Sequence, residues 1–152
     1  MVKLSTNNLE FYNPAFYNGK YYMAATGEGD AKGLFWISDD LVHWSYKQPL
    51  VPDGTNFVAP HVLVLNGYIY ITSNGTGLYR SKDIMGPYEK YGDFKRPDGA
   101  ELKCFDPALF KDDNGKIYLY YSGASERGIY GAELDKKDIQ QLLTRYNTSF
   151  QI

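Results

Sequence analysis

The chain contains three copies of one sequence pattern, and this repeat constrains the fold more than any other feature. Each copy opens with a residue–proline pair and continues through an apolar run, an Asn-Gly turn and a second apolar run. The three prolines, Pro14, Pro60 and Pro107, lie 46 and 47 residues apart. A repeat of this length, built from short hydrophobic hairpins, is typical of the blades of a β-propeller.

The turns inside the repeats predict β-hairpins. Asn18-Gly19, Asn66-Gly67 and Asn114-Gly115 occupy corresponding places, and Asn-Gly tolerates the positive φ that a two-residue hairpin turn needs. The strands that follow, residues 68–71 and 117–121 among them, are apolar on both faces. Such a strand must be covered on both sides, which stacked blades accomplish. We therefore predict three equivalent hairpins, one in each blade.

The predicted fold class is all-β: a partial β-propeller of three four-stranded antiparallel blades, completed by another chain. The outermost strands of the first two blades are expected at 45–47 and 89–91. The expected single domain spans 1–152 and divides into blade 1 at about 11–50, blade 2 at about 57–93, blade 3 at about 103–135 and a C-terminal segment at 136–152. In that last segment the spacing of the apolar residues predicts a weakly amphipathic helix, through Leu134, Ile139, Leu142, Leu143 and Tyr146.

Composition excludes several classes of function. The chain has 152 residues, a formal net charge of −2 and no basic stripe, which argues against nucleic acid as a partner. No apolar run approaches the ~20 residues needed to cross a bilayer, so no membrane partner is expected. Cys104 is the only cysteine and cannot form an intrachain disulfide. No signal peptide is visible at the N-terminus, and the expected location is cytoplasmic unless a signal has been removed.

Five motifs stand in order along the repeats: Asn13-Pro14, Val58-Ala59-Pro60, and the stretches 105–116, 38–44 and 81–88. Together they resemble glycoside hydrolase family 43, the five-bladed β-propeller arabinosidases, xylosidases and arabinanases. The resemblance covers roughly residues 11–135, which correspond to about the first three blades of a family member. It implies a module that acts on or binds arabinose- or xylose-containing polysaccharide.

The resemblance also assigns catalytic positions. Inverting glycoside hydrolysis needs a carboxylate base and a carboxylic acid about 6.5–9.5 Å apart. In the family the base is the Asp of the first Asp-Pro pair, the Asp of the third pair tunes the pKa of the acid, and the acid is a Glu of the fourth blade. Asp106 matches the pKa-modulating position, although Asp before proline is also a common turn residue. Asn13 occupies the base position.

An amide cannot take a proton from water at neutral pH, so Asn13 predicts weakened or lost catalysis, with inversion if the chain is active. The acid has no counterpart in the three blades. Glu28, Glu101 and Glu126 are the nearest candidates by blade position, and each is interpreted as a solvated loop carboxylate. The alternative function is a non-catalytic carbohydrate-binding or structural assembly module.

Three further residues are assigned to substrate binding: His61, Phe105 and Asn74. His61 stands where family members commonly carry Asp after Ala-Pro; alternatively, it is a strand residue hydrogen-bonded to backbone. No cluster of His, Cys and Asp residues has metal-ligand spacing. We expect no required cofactor and no metal ligand set, with calcium or another ion on the propeller axis as the alternative.

An open stack of three blades exposes an apolar face at each end, which soluble monomers rarely do. Closed assemblies are usually symmetric, and two copies would make a six-bladed ring, an ordinary propeller size. The expected partners are therefore carbohydrate and a second copy of the chain, in a homodimer.

Overall fold

In the computed structural model of the chain, the described residues are 10–11, 14–26, 33–55, 57–75, 77–123 and 128–148. For residues 10–11 and 144–148 the description covers the backbone alone. Within these ranges every regular element is a β-strand, and the strands form three antiparallel sheets. No described segment forms a helix long and apolar enough to cross a membrane.

The first sheet, blade 1, has the strand order β1-β3-β4-β5, with β2 paired to β3 beside β1. Two short strands therefore share the inner edge of this sheet. The strands are β1 (Glu10–Phe11), β2 (Ala15–Tyr17), β3 (Lys20–Thr26), β4 (Phe35–Ser38) and β5 (Ser45–Lys47).

Blades 2 and 3 are simple four-stranded meanders, in which each strand pairs with the next along the chain. Blade 2 consists of β6 (His61–Leu65), β7 (Tyr68–Ser73), β8 (Gly77–Ser81) and β9 (Glu89–Gly92). Blade 3 consists of β10 (Cys104–Lys111), β11 (Ile117–Gly123), β12 (Ile129–Leu134) and β13 (Leu142–Thr148). The predicted all-β fold with three four-stranded antiparallel blades is thus confirmed, including the outer strands β5 and β9.

The prediction of a helix near the C-terminus was wrong. Residues 142–148 form β13, which pairs with β12 from Leu134↔Leu142 to Ile129↔Thr148. Blade 3 therefore extends beyond 135 and takes in most of the separate C-terminal segment placed at 136–152. Leu134, Ile139 and Leu142 are buried in the core of this blade, so their apolar spacing reflects a turn followed by a strand rather than one face of a helix.

The three Asn-Gly turns are also not equivalent. Asn18-Gly19 and Asn66-Gly67 are two-residue turns with positive φ at both positions, as predicted. In blade 3 the loop covers residues 112–116, and Gly115 has positive φ while Asn114 does not. The amide of Lys116 and that of Gly115 are both bonded to Asp112.

Each blade has a leading face, turned toward the preceding blade, and a trailing face, turned toward the following one. The core consists of two layers, each formed where one trailing face packs on the next leading face. The first layer joins blades 1 and 2 through Tyr22, Phe35, Val62, Ile69, Ile71 and their neighbours. The second joins blades 2 and 3 through Tyr70, Leu78, Leu109, Leu119, Tyr121 and their neighbours. Blade 2 is therefore buried on both faces.

Candidate functional site

The inner strands of the three blades converge. Their side chains line one cavity of about 300 Å³, formed by Pro14–Phe16 of β2 and the segment before it, His61–Val64 of β6 and Leu109–Lys111 of β10. In a propeller the innermost strands surround the axial channel. The cavity therefore marks the part of the channel that these three blades supply.

The residues that precede two of the repeat prolines have an unusual backbone. Ala59 has φ 50° and Asp106 has φ 49°, a region that L-residues other than Asn and Asp rarely occupy. In blade 3 this corner coincides with a register shift between Phe105 and Ala108, as in a β-bulge, a feature that re-aims side chains beside active sites. The corresponding residue of blade 1, Asn13, lies outside the described residues, and its assignment to the base position stays a prediction.

A side chain from the preceding blade holds each of these two corners. Thr26, at the end of β3, accepts a hydrogen bond from the Ala59 amide over 2.8 Å. Asn74, just after β7, accepts one from the Asp106 amide through Oδ1 over 2.5 Å. Both acceptors lie seven residues after the glycine of their hairpin turn. We call this contact the corner latch.

The latch gives Asn74 a place beside the candidate catalytic carboxylate. The Gly75 amide donates to the Cys104 carbonyl over 3.1 Å. Asn74 and Gly75 therefore bond the backbone of the two residues that flank Phe105. Asn74 was predicted to bind substrate, which stays a prediction; its amide oxygen accepts the backbone hydrogen bond of Asp106. The signal that could have identified this role is positional, since Thr26 and Asn74 share one offset within the repeat.

Of the two corner residues, Ala59 and Asp106, only Asp106 is exposed. Its carboxylate reaches solvent, whereas Ala59 is 4% exposed. The adjacent Phe105 is 47% exposed and stands in register with Ser122 and Ile129 on the trailing face of blade 3. Phe105 thus belongs to the open face of the stack, beside the corner that carries Asp106.

His61 connects the inner strands of blades 2 and 3. Its Nδ1 accepts a hydrogen bond from the Leu109 amide over 3.3 Å, which requires the proton of the neutral ring to be on Nε2. Burial lowers the pKa of His61, because the charged imidazolium is poorly solvated there. The hydrogen bond to backbone that was the alternative for His61 is thus made at Nδ1, and substrate binding by His61 stays a prediction. His61 contributes to the lining of the channel cavity.

The remaining candidates are less well placed for catalysis. Glu101 is exposed and forms a β-bridge with Lys95, as expected of a solvated loop carboxylate. Glu28 and Glu126 lie outside the described residues. Among the described residues, no group of three or more His, Cys, Asp or Glu side chains is arranged to hold a metal ion. The alternative of an axial ion therefore stays a prediction, and no step of chemistry is assigned to it.

Comparison with known proteins places the chain in one family of glycoside hydrolases. The family model described as glycosyl hydrolases family 43 matches residues 14–151. A levanbiose-producing levanase from Geobacillus stearothermophilus is 26% identical over 116 residues, which are 72% of this chain and 27% of the levanase.

Solved structures share the fold. An endo-1,4-β-xylanase from Bacteroides thetaiotaomicron superposes with a TM-score of 0.66 and 26% identity, over 92% of this chain and 52% of that one. An α-L-arabinofuranosidase from Clostridium thermocellum gives a TM-score of 0.65 at 18% identity, over 95% and 58%. This chain therefore spans about a quarter to three-fifths of these relatives. Its repeats, its corners and the match over 14–151 make it a member of glycosyl hydrolases family 43.

Proposed function

We propose that this chain is a sugar-recognising propeller module of family 43 in which the catalytic base has been lost. The proposed ligand is an arabinose- or xylose-containing polysaccharide, bound at the inner-strand ends around Asp106. The observation that carries the proposal is the latched corner of blade 3, where the residue with the exposed carboxylate is held by a hydrogen bond from its amide to Asn74 of the preceding blade. Relatives named as a xylanase and an arabinofuranosidase support this class of sugar.

Each side chain has a distinct part in the proposal. The carboxylate of Asp106 accepts hydrogen bonds from sugar hydroxyls and stands in the pKa-modulating position. His61 donates from Nε2–H into the channel. Asn74 positions Asp106 by holding its amide and does not contact the sugar through Oδ1.

The loss of catalysis rests on Asn13. A positioned general base contributes about 10²–10⁴-fold in rate, and an amide supplies none of this. The non-catalytic binding module is therefore favoured over a fully active hydrolase by one specific substitution. A matching acid would have to come from outside the three blades.

Catalysis is tested with aryl arabinofuranosides and xylosides, whose activated leaving groups depend little on an acid. We expect negligible turnover by the unaltered chain and a measurable gain in Asn13→Asp, up to about 10²-fold. Asn66→Asp makes the same chemical change in a hairpin turn at the other end of an inner strand and should gain nothing. Turnover by the unaltered chain that Asp106→Ala abolishes would show an active enzyme and contradict the loss of catalysis.

Binding is tested separately by calorimetry with arabino- and xylo-oligosaccharides, with levan as a further sugar because of the levanase relative. We expect binding of a pentose oligosaccharide that weakens at least about tenfold in Asp106→Ala, or by about 1.4 kcal/mol. Asp53→Ala, in an exposed turn between blades, is the matched control. Absence of binding to any of these sugars, in a chain that circular dichroism shows to be folded, would overturn the proposal.

A further inference from the structure

A second cavity lies at the end of blade 2 that carries the Asn66-Gly67 turn, away from the corner at Ala59. Its volume is about 410 Å³, and it is lined by Tyr68, by residues 80–83 and by residues 86–89. All of these belong to blade 2, which packs between blades 1 and 3. The cavity is therefore built and flanked by blades that this chain itself supplies, and it is separate from the channel cavity.

Two positively charged side chains of this cavity lie over one aromatic ring. The guanidinium carbon of Arg80 is 5.0 Å from the ring centroid of Tyr68 and 4.4 Å from that of Tyr91. The ammonium nitrogen of Lys82 is 5.8 Å from the centroid of the same Tyr68 ring. Attraction between a cation and an aromatic face holds charged groups in such positions. Tyr68 thus keeps two cations close together at the cavity.

The two carboxylates of the cavity are already engaged with protein groups. Glu89 Oε1 accepts a hydrogen bond from Arg80 Nε over 2.9 Å, and Asp83 Oδ1 accepts one from the Met85 amide over 2.8 Å. Lys82 is exposed, and its ammonium forms no ion pair with any residue in the described part of the chain. The cavity therefore presents a cation without a carboxylate partner among those residues, in a space large enough for a small ligand.

We propose that this cavity is a second carbohydrate site, which binds the carboxylate of an acidic sugar, a uronic acid unit. Lys82 is the ion-pair partner of that carboxylate, Arg80 is the second positive charge, and the ring of Tyr68 supplies an apolar surface beside them. Hydrogen bonds between such cations and a carboxylate are stronger than neutral ones. The charges indicate an anion; that a sugar carries it rests on the proposed function.

The site is tested by amide NMR titration of the isotope-labelled 152-residue chain with methyl β-D-glucuronide and with methyl β-D-glucoside. The glucuronide carries a carboxylate where the glucoside carries a hydroxymethyl group, and the two are otherwise the same. We expect the glucuronide to shift the amide signals of Tyr68, Lys82 and Glu89 and to bind at least about tenfold more tightly than the glucoside. Added salt should weaken the binding.

Two variants change the charge of the cavity in opposite directions. Lys82→Met keeps the apolar stem and removes the cation, and it should weaken glucuronide binding at least about threefold. Glu89→Gln removes a negative charge beside the ligand and the carboxylate that occupies Arg80, so it should strengthen binding. Lys47→Met is the matched control, because Lys47 is an exposed lysine on β5 of blade 1, and it should bind as the unaltered chain does.

Several outcomes would overturn the proposal. Equal affinity for the glucoside would mean that the carboxylate is not recognised, and shifts at His61 and Asp106 instead of Tyr68 and Lys82 would place the ligand in the channel. Inorganic phosphate that binds the same amides as tightly as the glucuronide would show an anion site without preference for a sugar. Circular dichroism of each variant excludes unfolding as the cause of lost binding. Neither glycoside contains a pentose, so this site and the pentose site around Asp106 can fail separately.

Discussion

The junction between blades 1 and 2 and the junction between blades 2 and 3 share one latch and differ in what surrounds it. At the first, Thr26 holds the amide of buried Ala59. At the second, Asn74 holds the amide of exposed Asp106. The φ angles of the two corner residues are nearly the same, 50° and 49°. Exposure and side-chain chemistry, rather than backbone shape, distinguish the structural corner from the candidate reactive one.

Among the described residues, two further hydrogen bonds join blades 2 and 3. Thr72 donates from Oγ1 to the Pro107 carbonyl over 2.8 Å, and the Leu109 amide donates to His61. Such buried bonds between blades fix the position of β10 relative to β6, since each leaves an unsatisfied polar group if the blades slide. They thus hold the blade that carries the candidate carboxylate in register with blade 2.

The largest expected effect on stability comes from truncating a buried side chain in either core layer. Leu119→Ala in the second junction and Ile71→Ala in the first should each lower the free energy of unfolding by about 3 kcal/mol, because both side chains are almost fully buried and leave a cavity. Urea unfolding monitored by tyrosine and tryptophan fluorescence measures the change. Val42→Ala, at an exposed turn, should change it by less than about 0.5 kcal/mol. Comparable losses at Val42 and Leu119 would contradict the assignment of the core.

The next largest effect separates the two latches. Thr26→Val removes the acceptor for the Ala59 amide, which is buried, and should cost about 2 kcal/mol. Asn74→Ala should cost about 1 kcal/mol or less, because water reaches the exposed Asp106 corner and replaces part of the lost bond. Thermal unfolding of the two variants checks the order. An Asn74→Ala variant less stable than Thr26→Val would show that exposure does not set the cost of a latch.

A pH dependence follows from His61. Its pKa is lowered in the folded chain by burial, so the unfolded chain binds more protons and stability rises with pH. The contribution is complete above the unfolded value of about 6.5 and is lost as pH falls toward the folded value. One such proton changes the unfolding free energy by at most about 1.4 kcal/mol per pH unit.

His43 should have the opposite effect on the pH dependence of stability. The hydrogen bond and charge of Asp40 raise the pKa of His43 in its exposed turn, so its contribution is present below about 6.5 and is lost as pH rises through the folded value. Urea unfolding between pH 5 and pH 7.5 should show less acid destabilisation in His61→Gln than in the unaltered chain. His43→Gln should show slightly more. Identical profiles for the two variants would contradict the burial of His61.

The smallest effect concerns the strain in the first corner. Ala59→Gly removes the side-chain penalty of positive φ, about 1 kcal/mol, and adds backbone freedom to the unfolded chain worth somewhat less. We expect stabilisation of about 0.3 kcal/mol by urea unfolding. Ala24→Gly, in the middle of β3, is the control and should destabilise instead.

Much of this architecture could be predicted from sequence because it repeats. Three proline corners at nearly equal spacing and three Asn-Gly turns were sufficient for the blades and for the order of the inner strands. The helix predicted near Leu142 was wrong, since a turn between two apolar strands mimics helical spacing over a few residues. The bridging of Leu109 by His61 could not be predicted, because it depends on how far one blade lies from the next.

The candidate site could be predicted only in part, because it too depends on how the blades are stacked. Asp106 is identified by its motif, but the role of Asn74 as a positioning residue emerges only when blades 2 and 3 are stacked. Phe105, which was predicted to bind substrate, is exposed and stands in register with Ser122 on the trailing face of blade 3, and its part in binding stays a prediction. The sequence therefore predicts which residues lie near a corner, but the orientation of their side chains depends on how the blades pack.

The latch has a consequence for how such a module changes over evolution. A corner whose backbone is held by its neighbour tolerates different side chains in the same conformation, as Ala59 and Asp106 demonstrate. Reactive groups can then be discarded or acquired at these positions while the scaffold persists, so that descent within a hydrolase lineage and possession of its chemistry become separable traits.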